Sequence, residues 1–281
     1  MISEGHDIVV IGRNRPPNNF FSASVNFVQA ELGQNFDFRP VFEGSEYYIH
    51  AALDHLPHRF VGGEGDDLKG FALKNLAGTA ALFKQAKKSG VNRAVFLSDM
   101  AVYGRRLEGH HFYETDAPDP KGVYAKVKFE TEKILNAMTS ADFGAVSLRL
   151  SSVYGAAGPG KHHKWQPLFK TYLSGHAIAP YAACEIHGED VARAVGSVMS
   201  AEHIRVAGGV FNAMDMVVDR VDILSALQKA SGCKHPLPDR FKADVSTMNC
   251  DKLKRLEIRT GGLVKLQMTL DRLMAPYLNA A

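Results

Sequence analysis

The chain has 281 residues, 46% of them apolar, and a formal charge of +3 from 33 basic and 30 acidic residues. This length and apolar content suffice for a full hydrophobic core, which excludes a disordered chain. The basic residues are scattered, so no nucleic-acid-binding surface is indicated, and no apolar run reaches the roughly 18 residues of a membrane span. With no signal-type leader and three widely spaced cysteines, the sequence predicts a cytoplasmic protein.

The first third of the chain predicts strands and a long helix in alternation. Short apolar runs typical of buried strands lie at residues 7–11, 24–30 (the weakest), 46–52 and 94–98. Residues 68–89 carry apolar side chains at helical spacing, and Gly90 ends that helix. Strands that alternate with helices of this length indicate parallel βαβ units.

The rest of the chain continues this order and then loosens. A loop over residues 104–122 precedes a helix at 123–138 and a strand at 145–150, and a glycine-rich loop follows Tyr154. Further helices are predicted at residues 164–174, 189–199, 221–231 and 268–277. We expect an α/β fold with a doubly wound parallel sheet in residues 1–155 and mainly a small C-terminal substrate lobe in 156–281, with residues 185–200 returning to the core.

Tyr124 and Lys128 lie at the start of the predicted helix, about one turn apart, so their side chains share a face. A nearby ammonium favours a phenolate, which lowers a tyrosine pKa and makes the side chain a usable general acid or base. By itself this spacing is more typical of a solvated helix face than of a catalytic pair. The histidine pairs at 110–111 and 162–163 lack a carboxylate or cysteine at ligand spacing, so no metal site is predicted.

Four motifs in order change that interpretation. They are Val95 to Gly104 (VFLSDMAVYG), Glu114 to Pro118 (ETDAP), Tyr124-x-x-x-Lys128 with Glu132, and Leu148 to Gly155 (LRLSSVYG). With Ile49 to Ala52, Asn75 to Thr79 and Ile186 to Ala192, they closely resemble the extended short-chain dehydrogenase/reductases, and more narrowly the NAD-dependent epimerase/dehydratase family. The resemblance implies a Rossmann-like fold, a homodimer, and an enzyme with Tyr124 as general acid/base and Lys128 beside it.

The chain departs from the family at the phosphate-binding loop. A glycine-rich turn after the first strand binds the pyrophosphate of a dinucleotide in such folds. Here residues 7–11 resemble the second strand of the family, and Gly12-Arg13-Asn14-Arg15-Pro16-Pro17 follows. Either the first strand and its loop lie upstream of Met1, or a paralogue has lost them. The strand at 7–11 would then pair with 95–98 or leave an open slot.

A second departure is Asp99, where the resemblance implies a serine or threonine that hydrogen-bonds the reacting oxygen of the substrate. An ionised Asp99 would disfavour the Tyr124 phenolate, whereas a protonated or substrate-paired one could still donate or relay a proton. Ser98 is adjacent, but side chains alternate along a strand, so it is expected to point elsewhere unless the strand end twists. Ser152 and Ala156 replace the asparagine and proline of many nucleotide-sugar enzymes, which weakens inference to that substrate class.

The resemblance assigns cofactor contacts to Arg13, Ala51, Ala52, Asn75, Ser98, Tyr124 and Lys128. Arginine after the second strand accommodates a 2′-phosphate, so Arg13 favours NADP over NAD, although a solvated basic turn explains it equally well. Without the glycine loop, weak or undetectable dinucleotide binding is expected. The sequence thus predicts an NAD(P)-dependent epimerase, dehydratase or reductase that acts on a sugar or nucleotide-sugar-like alcohol. The alternative is a non-catalytic binding or scaffold paralogue of the same fold that has lost cofactor binding.

Overall fold

A computed structural model of the protein describes residues 1–56, 59, 62–104, 108–159 and 161–278. The strands are β1 Val9–Gly12, β2 Asn26–Gln29, β3 Tyr47–His50, β4 Arg93–Asp99, β5 His111–Phe112, β6 Gly144–Leu150, β7 Ser152–Tyr154, β8 Ala182–His187, β9 Gly209–Ala213, β10 Met216–Asp219 and β11 Thr247–Met248. The helices are α1 Arg39–Phe42, α2 Leu68–Lys88, α3 Gly122–Ala137, α4 Gln166–Leu173, α5 Gly188–Ser200, α6 His203–Val206, α7 Arg220–Ser231, α8 Asp251–Lys254 and α9 Gly262–Met274. Among these residues no helix is long and apolar enough to cross a membrane.

The central sheet contains β3, β4, β6 and β9 in that order, and its strand pairs are all parallel. Alternate residues of β4 face opposite sides, as strand geometry requires. Ala94 and Phe96 pack with α2 and α3 on one side, and Val95 packs with α5 on the other. Helices therefore cover both faces of the sheet, and the predicted doubly wound α/β fold is confirmed.

The parallel strands do not form one continuous sheet. β1 pairs with β2 only, in a separate sheet, and the described residues place no strand between β1 and β3. Val9 on β1 is 41% exposed and Ile49 on β3 is 36% exposed, which is high for apolar side chains of strands. Of the two outcomes expected for residues 7–11, pairing with 95–98 does not occur, because β4 already lies between β3 and β6.

The C-terminal part packs around a second core. Aromatic and aliphatic side chains of α4, α7 and α9 meet there, Phe169, Leu224 and Leu270 among them. A small mixed sheet joins β7, β8 and β10 beside it. The sequence analysis did not identify β9, which completes the central sheet, and it began the last helix at residue 268 whereas α9 begins at Gly262.

Candidate functional site

A cleft of about 1600 Å³ lies between the core and the C-terminal part. Its core wall includes Arg13 and Asn14 after β1 and Glu31 after β2. After β3 it includes Leu53, His55, Arg59, Gly62, Gly63, Glu64 and Phe71. Its opposite wall is formed by Lys161, His162, Gln166, Pro167, Lys170, Leu173, Ser174 and Tyr277. Ligands of open α/β sheets bind outside the carboxyl ends of the strands, which is where this cleft lies.

Tyr124 reaches the cleft from the first turn of α3. Its hydroxyl donates a hydrogen bond to Asp99 Oδ2 at 2.8 Å, and Asp99 Oδ1 accepts one from the Ala101 amide at 2.7 Å. Asp99 thus caps the 3₁₀ turn Met100–Tyr103, which a short side-chain acceptor does well. One carboxylate both ends β4 and contacts the candidate catalytic hydroxyl.

The pKa of Tyr124 shifts in the direction opposite to the one that its spacing from Lys128 predicts. Its pKa is raised, first by burial and then by the charge and hydrogen bond of Asp99, with a smaller contribution from Glu64. The expected lowering by Lys128 is not found, because an anionic neighbour and a buried environment both disfavour a phenolate. The sequence had pointed to this opposing effect of Asp99.

Lys128 lies behind Tyr124 and does not line the cleft. Its ammonium donates to the Leu97 carbonyl at 2.7 Å and sits 4.9 Å from the centre of the Phe96 ring. Burial lowers the pKa of Lys128 to about 8, although the carboxylates of Asp99 and Glu132 oppose that shift. The lysine is therefore a buried cation held at the back of the tyrosine.

Ser98 points away from the cleft, as alternation along β4 predicts. Its hydroxyl donates to Glu132 Oε1 at 2.5 Å, and Glu132 also accepts from Arg149 on β6. All three side chains are buried. Ser98 therefore joins a polar cluster inside the core and leaves the site near Tyr124 to Asp99.

The other predicted cofactor residues lie near the carboxyl ends of β1 and β3. Arg13 lines the cleft and pairs with Asp54 at 3.1 Å. Ala51 and Ala52 are exposed directly after β3. The side chain of Asn75, on α2, hydrogen-bonds both the backbone amide and the backbone carbonyl of Asp54.

Sequence reasoning missed several charged residues of the cleft. Glu31 lies two residues after the end of β2, and ligands of open α/β sheets bind at the carboxyl ends of the strands, so this position could have been predicted. Glu64 lies in a glycine-rich loop with Gly62, Gly63 and Gly65, and no motif marked that loop as part of the site. Among the described residues no group of three His, Cys, Asp or Glu side chains lies close enough to hold a metal ion.

The cleft fits the ends of a dinucleotide better than its middle. Arg13 and Glu31 offer charged and polar contacts at one end, and Tyr124 offers a hydroxyl farther along. Between β1 and β2 the described chain forms no helix, and the turn carries Pro16 and Pro17, which have no amide hydrogen. In the described chain the turn after β1 therefore lacks the helix N-terminus that binds a pyrophosphate in such folds.

A family model matches residues 1–213, and its description is the NAD dependent epimerase/dehydratase family. The chain belongs to this family. The family resemblance inferred from the four motifs is therefore confirmed. The matched region contains β1 to β9 and all the residues of the Tyr124 site.

Known members of the epimerase/dehydratase family and solved structures resemble the chain. A UDP-glucose 4-epimerase of Vibrio cholerae is 30% identical over 151 residues, which is 53% of this chain and 44% of that protein. The chain thus aligns with less than half the length of that relative. The structure of a UDP-glucose 4-epimerase with UDP-glucose from Thermotoga maritima matches with a TM-score of 0.79, 20% identity, and coverage of 97% of this chain and 92% of the other.

A second solved structure gives the same result for the fold. The UDP-glucuronic acid 4-epimerase of Bacillus cereus, in complex with UDP-glucuronic acid and NAD, matches with a TM-score of 0.74 and 18% identity. The match covers 96% of this chain and 90% of the other. At this identity the likeness establishes the common fold of the epimerase/dehydratase family.

Proposed function

We propose that the protein is an NAD(P)-dependent epimerase- or dehydratase-type enzyme that acts on a sugar nucleotide through Tyr124. The observation that carries this proposal is the Tyr124 hydroxyl in the cleft, bonded to Asp99 with Lys128 behind it. Family membership supports the reaction class, and UDP-sugars in the names of the relatives support the substrate.

In this proposal Tyr124 and Asp99 work as a pair. Tyr124 takes the proton of a substrate hydroxyl as it passes its own proton to Asp99 Oδ2, 2.8 Å away. A relay of this kind avoids a free phenolate, which the raised pKa of Tyr124 disfavours. In the return direction Asp99 gives the proton back and Tyr124 protonates the substrate oxygen.

Lys128 stabilises the negative charge shared by Tyr124 and Asp99 from the buried side. Its ammonium is 5.8 Å from the centre of the Tyr124 ring and is fixed by the Leu97 carbonyl. A bound NAD or NADP supplies the hydride acceptor and donor. Arg13, Ala51, Ala52 and Tyr124 stay the proposed cofactor contacts, whereas the side chains of Asn75, Ser98 and Lys128, which the resemblance also assigned to the cofactor, bond groups of the protein itself.

Two further parts of the proposal come from the family resemblance. We propose a homodimer that pairs α2 and α3 with the same helices of a second copy. We also propose a cytoplasmic location, with which the free thiols of Cys184, Cys233 and Cys250 agree.

A non-catalytic binding protein is the second candidate. In the described chain the turn after β1 opens no helix that could bind a pyrophosphate, and β1 and β3 each have an unpaired edge. A protein of this kind would keep the cleft for a sugar nucleotide and perform no hydride transfer.

Replacement of Tyr124 by phenylalanine separates the two candidates. If the enzyme proposal is correct, Tyr124→Phe lowers turnover of UDP-glucose, assayed with added NAD as inversion at C4, by about 10² to 10⁴. Tyr113→Phe is the matched control, because Tyr113 is exposed and lies outside the cleft lining. A wild-type protein that binds UDP-glucose in calorimetry without turnover, or a Tyr124→Phe protein with unchanged turnover, would favour the binding protein.

A further inference from the structure

Three turns of α3 contact the end of β4 at regular intervals. Tyr124 bonds the Asp99 side chain, Lys128 bonds the Leu97 carbonyl, and Glu132 accepts from the Ser98 hydroxyl. The helix residues are spaced by four, so they lie on one face. The strand residues are consecutive. One helix face is therefore fixed against the strand that carries Asp99.

Glu132 makes the most contacts of these three side chains. Besides Ser98, it accepts from Arg149 Nε at 3.0 Å and from Arg149 Nη2 at 2.7 Å. Ser98 and Arg149 are direct partners in the β4 and β6 register. Glu132 and Arg149 are each 4% exposed. A single carboxylate thus ties α3 to two strands of the central sheet in the dry interior, where such bonds are directional and strong.

We propose that Glu132 is a positioning residue of the site: through Ser98 and Arg149 it holds α3 in the register that places Tyr124 on Asp99 and Lys128 on Leu97. This inference rests on the proposed function for its effect on turnover. The inference assigns a role in that function to Ser98, Glu132 and Arg149, which form a buried cluster that no substrate would contact. A shift of α3 by a fraction of an ångström would lengthen the 2.8 Å bond between Tyr124 and Asp99, and small misplacements have large kinetic effects.

Glu132 also acts on the charge of Lys128. The groups that face this lysine are Asp99 on β4, Glu132 and Tyr124 on α3, and His50 on β3. The carboxylates of Asp99 and Glu132 both favour the ammonium form. Burial lowers the pKa of His50 to about 3, with a smaller effect from Lys128, so the imidazole is neutral and does not repel the lysine. Loss of the Glu132 charge leaves Asp99 as the carboxylate that holds Lys128 protonated.

The test compares Glu132→Gln, Ser98→Ala and the control Glu130→Gln. Glutamine keeps the shape of Glu132 and an acceptor for Arg149 but removes the charge. Ser98→Ala breaks one contact and leaves the pair with Arg149 intact, so it covers the case in which Glu132→Gln fails to fold. Glu130 is a half-exposed carboxylate on the same helix, paired with Lys133. The first readout is the pH titration of Lys128 by carbon-13 NMR of labelled lysine, assigned with Lys128→Arg, and the second is kcat.

The expected result for Glu132→Gln is a Lys128 pKa below that measured in the wild type, because the Glu132 charge raises it, and a kcat reduced by about 10- to 100-fold. Ser98→Ala reduces kcat less and leaves the titration nearly unchanged, and Glu130→Gln affects neither. The proposal is overturned if Glu132→Gln folds and keeps both wild-type values, or if Ser98→Ala keeps wild-type kcat when Glu132→Gln does not fold. Should the wild type show no turnover, the proposed function fails, and the titration alone still decides whether Glu132 controls Lys128.

Discussion

At the scale of single residues, Asp99 has two roles that a serine at this position could not fill in the same way. It caps the 3₁₀ turn after β4 through Oδ1 and accepts the Tyr124 hydroxyl through Oδ2. A serine can accept from only a single oxygen atom, although it adds a donor for a substrate oxygen. The carboxylate therefore lacks that donor, but it supplies a base that is already hydrogen-bonded to the tyrosine.

Replacement of Asp99 tests both its charge and its donor. Asp99→Asn and Asp99→Ser each remove a charge that raises the pKa of Tyr124, so this pKa falls in both variants, and the folded protein releases the Tyr124 proton at lower pH. Absorbance titration of tyrosinate, with Tyr124→Phe subtracted in each background, measures the shift. We expect turnover to fall in Asp99→Asn, which cannot accept the proton. Serine cannot accept it either, but we expect turnover to be retained or raised in Asp99→Ser, because serine supplies the family donor and the lower pKa of Tyr124 lets its phenolate take the substrate proton directly.

Two outcomes would contradict this account. An unchanged tyrosinate titration in both variants would mean that Asp99 does not influence Tyr124. Equal losses of turnover in Asp99→Asn and Asp99→Ser would mean that serine cannot replace the carboxylate, so the family donor plays no part in this site.

The sequence predicted part of this arrangement. The spacing of Tyr124 and Lys128 placed both on one face of α3, and alternation along β4 placed Ser98 away from the cleft. It did not predict that Lys128 would bond the Leu97 carbonyl, or that burial would dominate the pKa of Tyr124. Both depend on how closely α3 packs on the sheet, and packing distance has no signature in a local pattern.

At the scale of elements, Asn75 links α2 to the segment that follows β3. Its side chain is 1% exposed and bonds the amide of Asp54 at 2.8 Å and the carbonyl of Asp54 at 3.0 Å. Asp54 in turn pairs with Arg13 and Lys74. One helix residue therefore shapes the part of the cleft wall between the ends of β1 and β3.

We expect Asn75→Ala to lower the free energy of unfolding by about 1–3 kcal/mol, because it leaves two backbone groups of Asp54 without their partners. Urea unfolding followed by circular dichroism measures the change. Leu73→Ala is the control on the same helix, since Leu73 is 70% exposed and its truncation removes little packing. Equal stability of Asn75→Ala and wild type would show that water or another group replaces both bonds.

The sequence predicted the elements with a strong hydrophobic pattern and missed β9, which lacks one. Long helices such as α2 and strands with continuous apolar runs such as β4 and β6 carry a strong pattern and appear close to their expected bounds. β9 has only two consecutive large apolar residues, Val210 and Phe211, between Gly209 and Asn212, so it carries no continuous apolar run. Its position is therefore set by the tertiary fold, which a local reading of residues 209–213 does not contain.

At the scale of the whole molecule, the cleft is large enough for a dinucleotide, but in the described chain the turn after β1 opens no helix whose N-terminus could bind the pyrophosphate. We expect isothermal titration to give weak or undetectable binding of NAD(H) and NADP(H) to this chain. Any residual NADP(H) affinity should fall more in Arg13→Gln than the NAD(H) affinity does, because an arginine there accommodates a 2′-phosphate. Low-micromolar affinity for either dinucleotide would show that other amides of the cleft bind the pyrophosphate.

The unpaired edges of β1 and β3 also affect which part of the fold unfolds locally. No cross-strand hydrogen bond joins β1 to the central sheet in the described chain, so β1 and β2 are held to it by side chains, through Ile11 in the apolar cluster and Arg13 on Asp54. Units held by few buried contacts open at a lower free energy than the rest of a fold. We therefore expect β1 and β2 to unfold locally as a unit, with amides that exchange with solvent before those of β4 and β6. The cleft wall that carries Arg13 and Glu31 is then expected to open first.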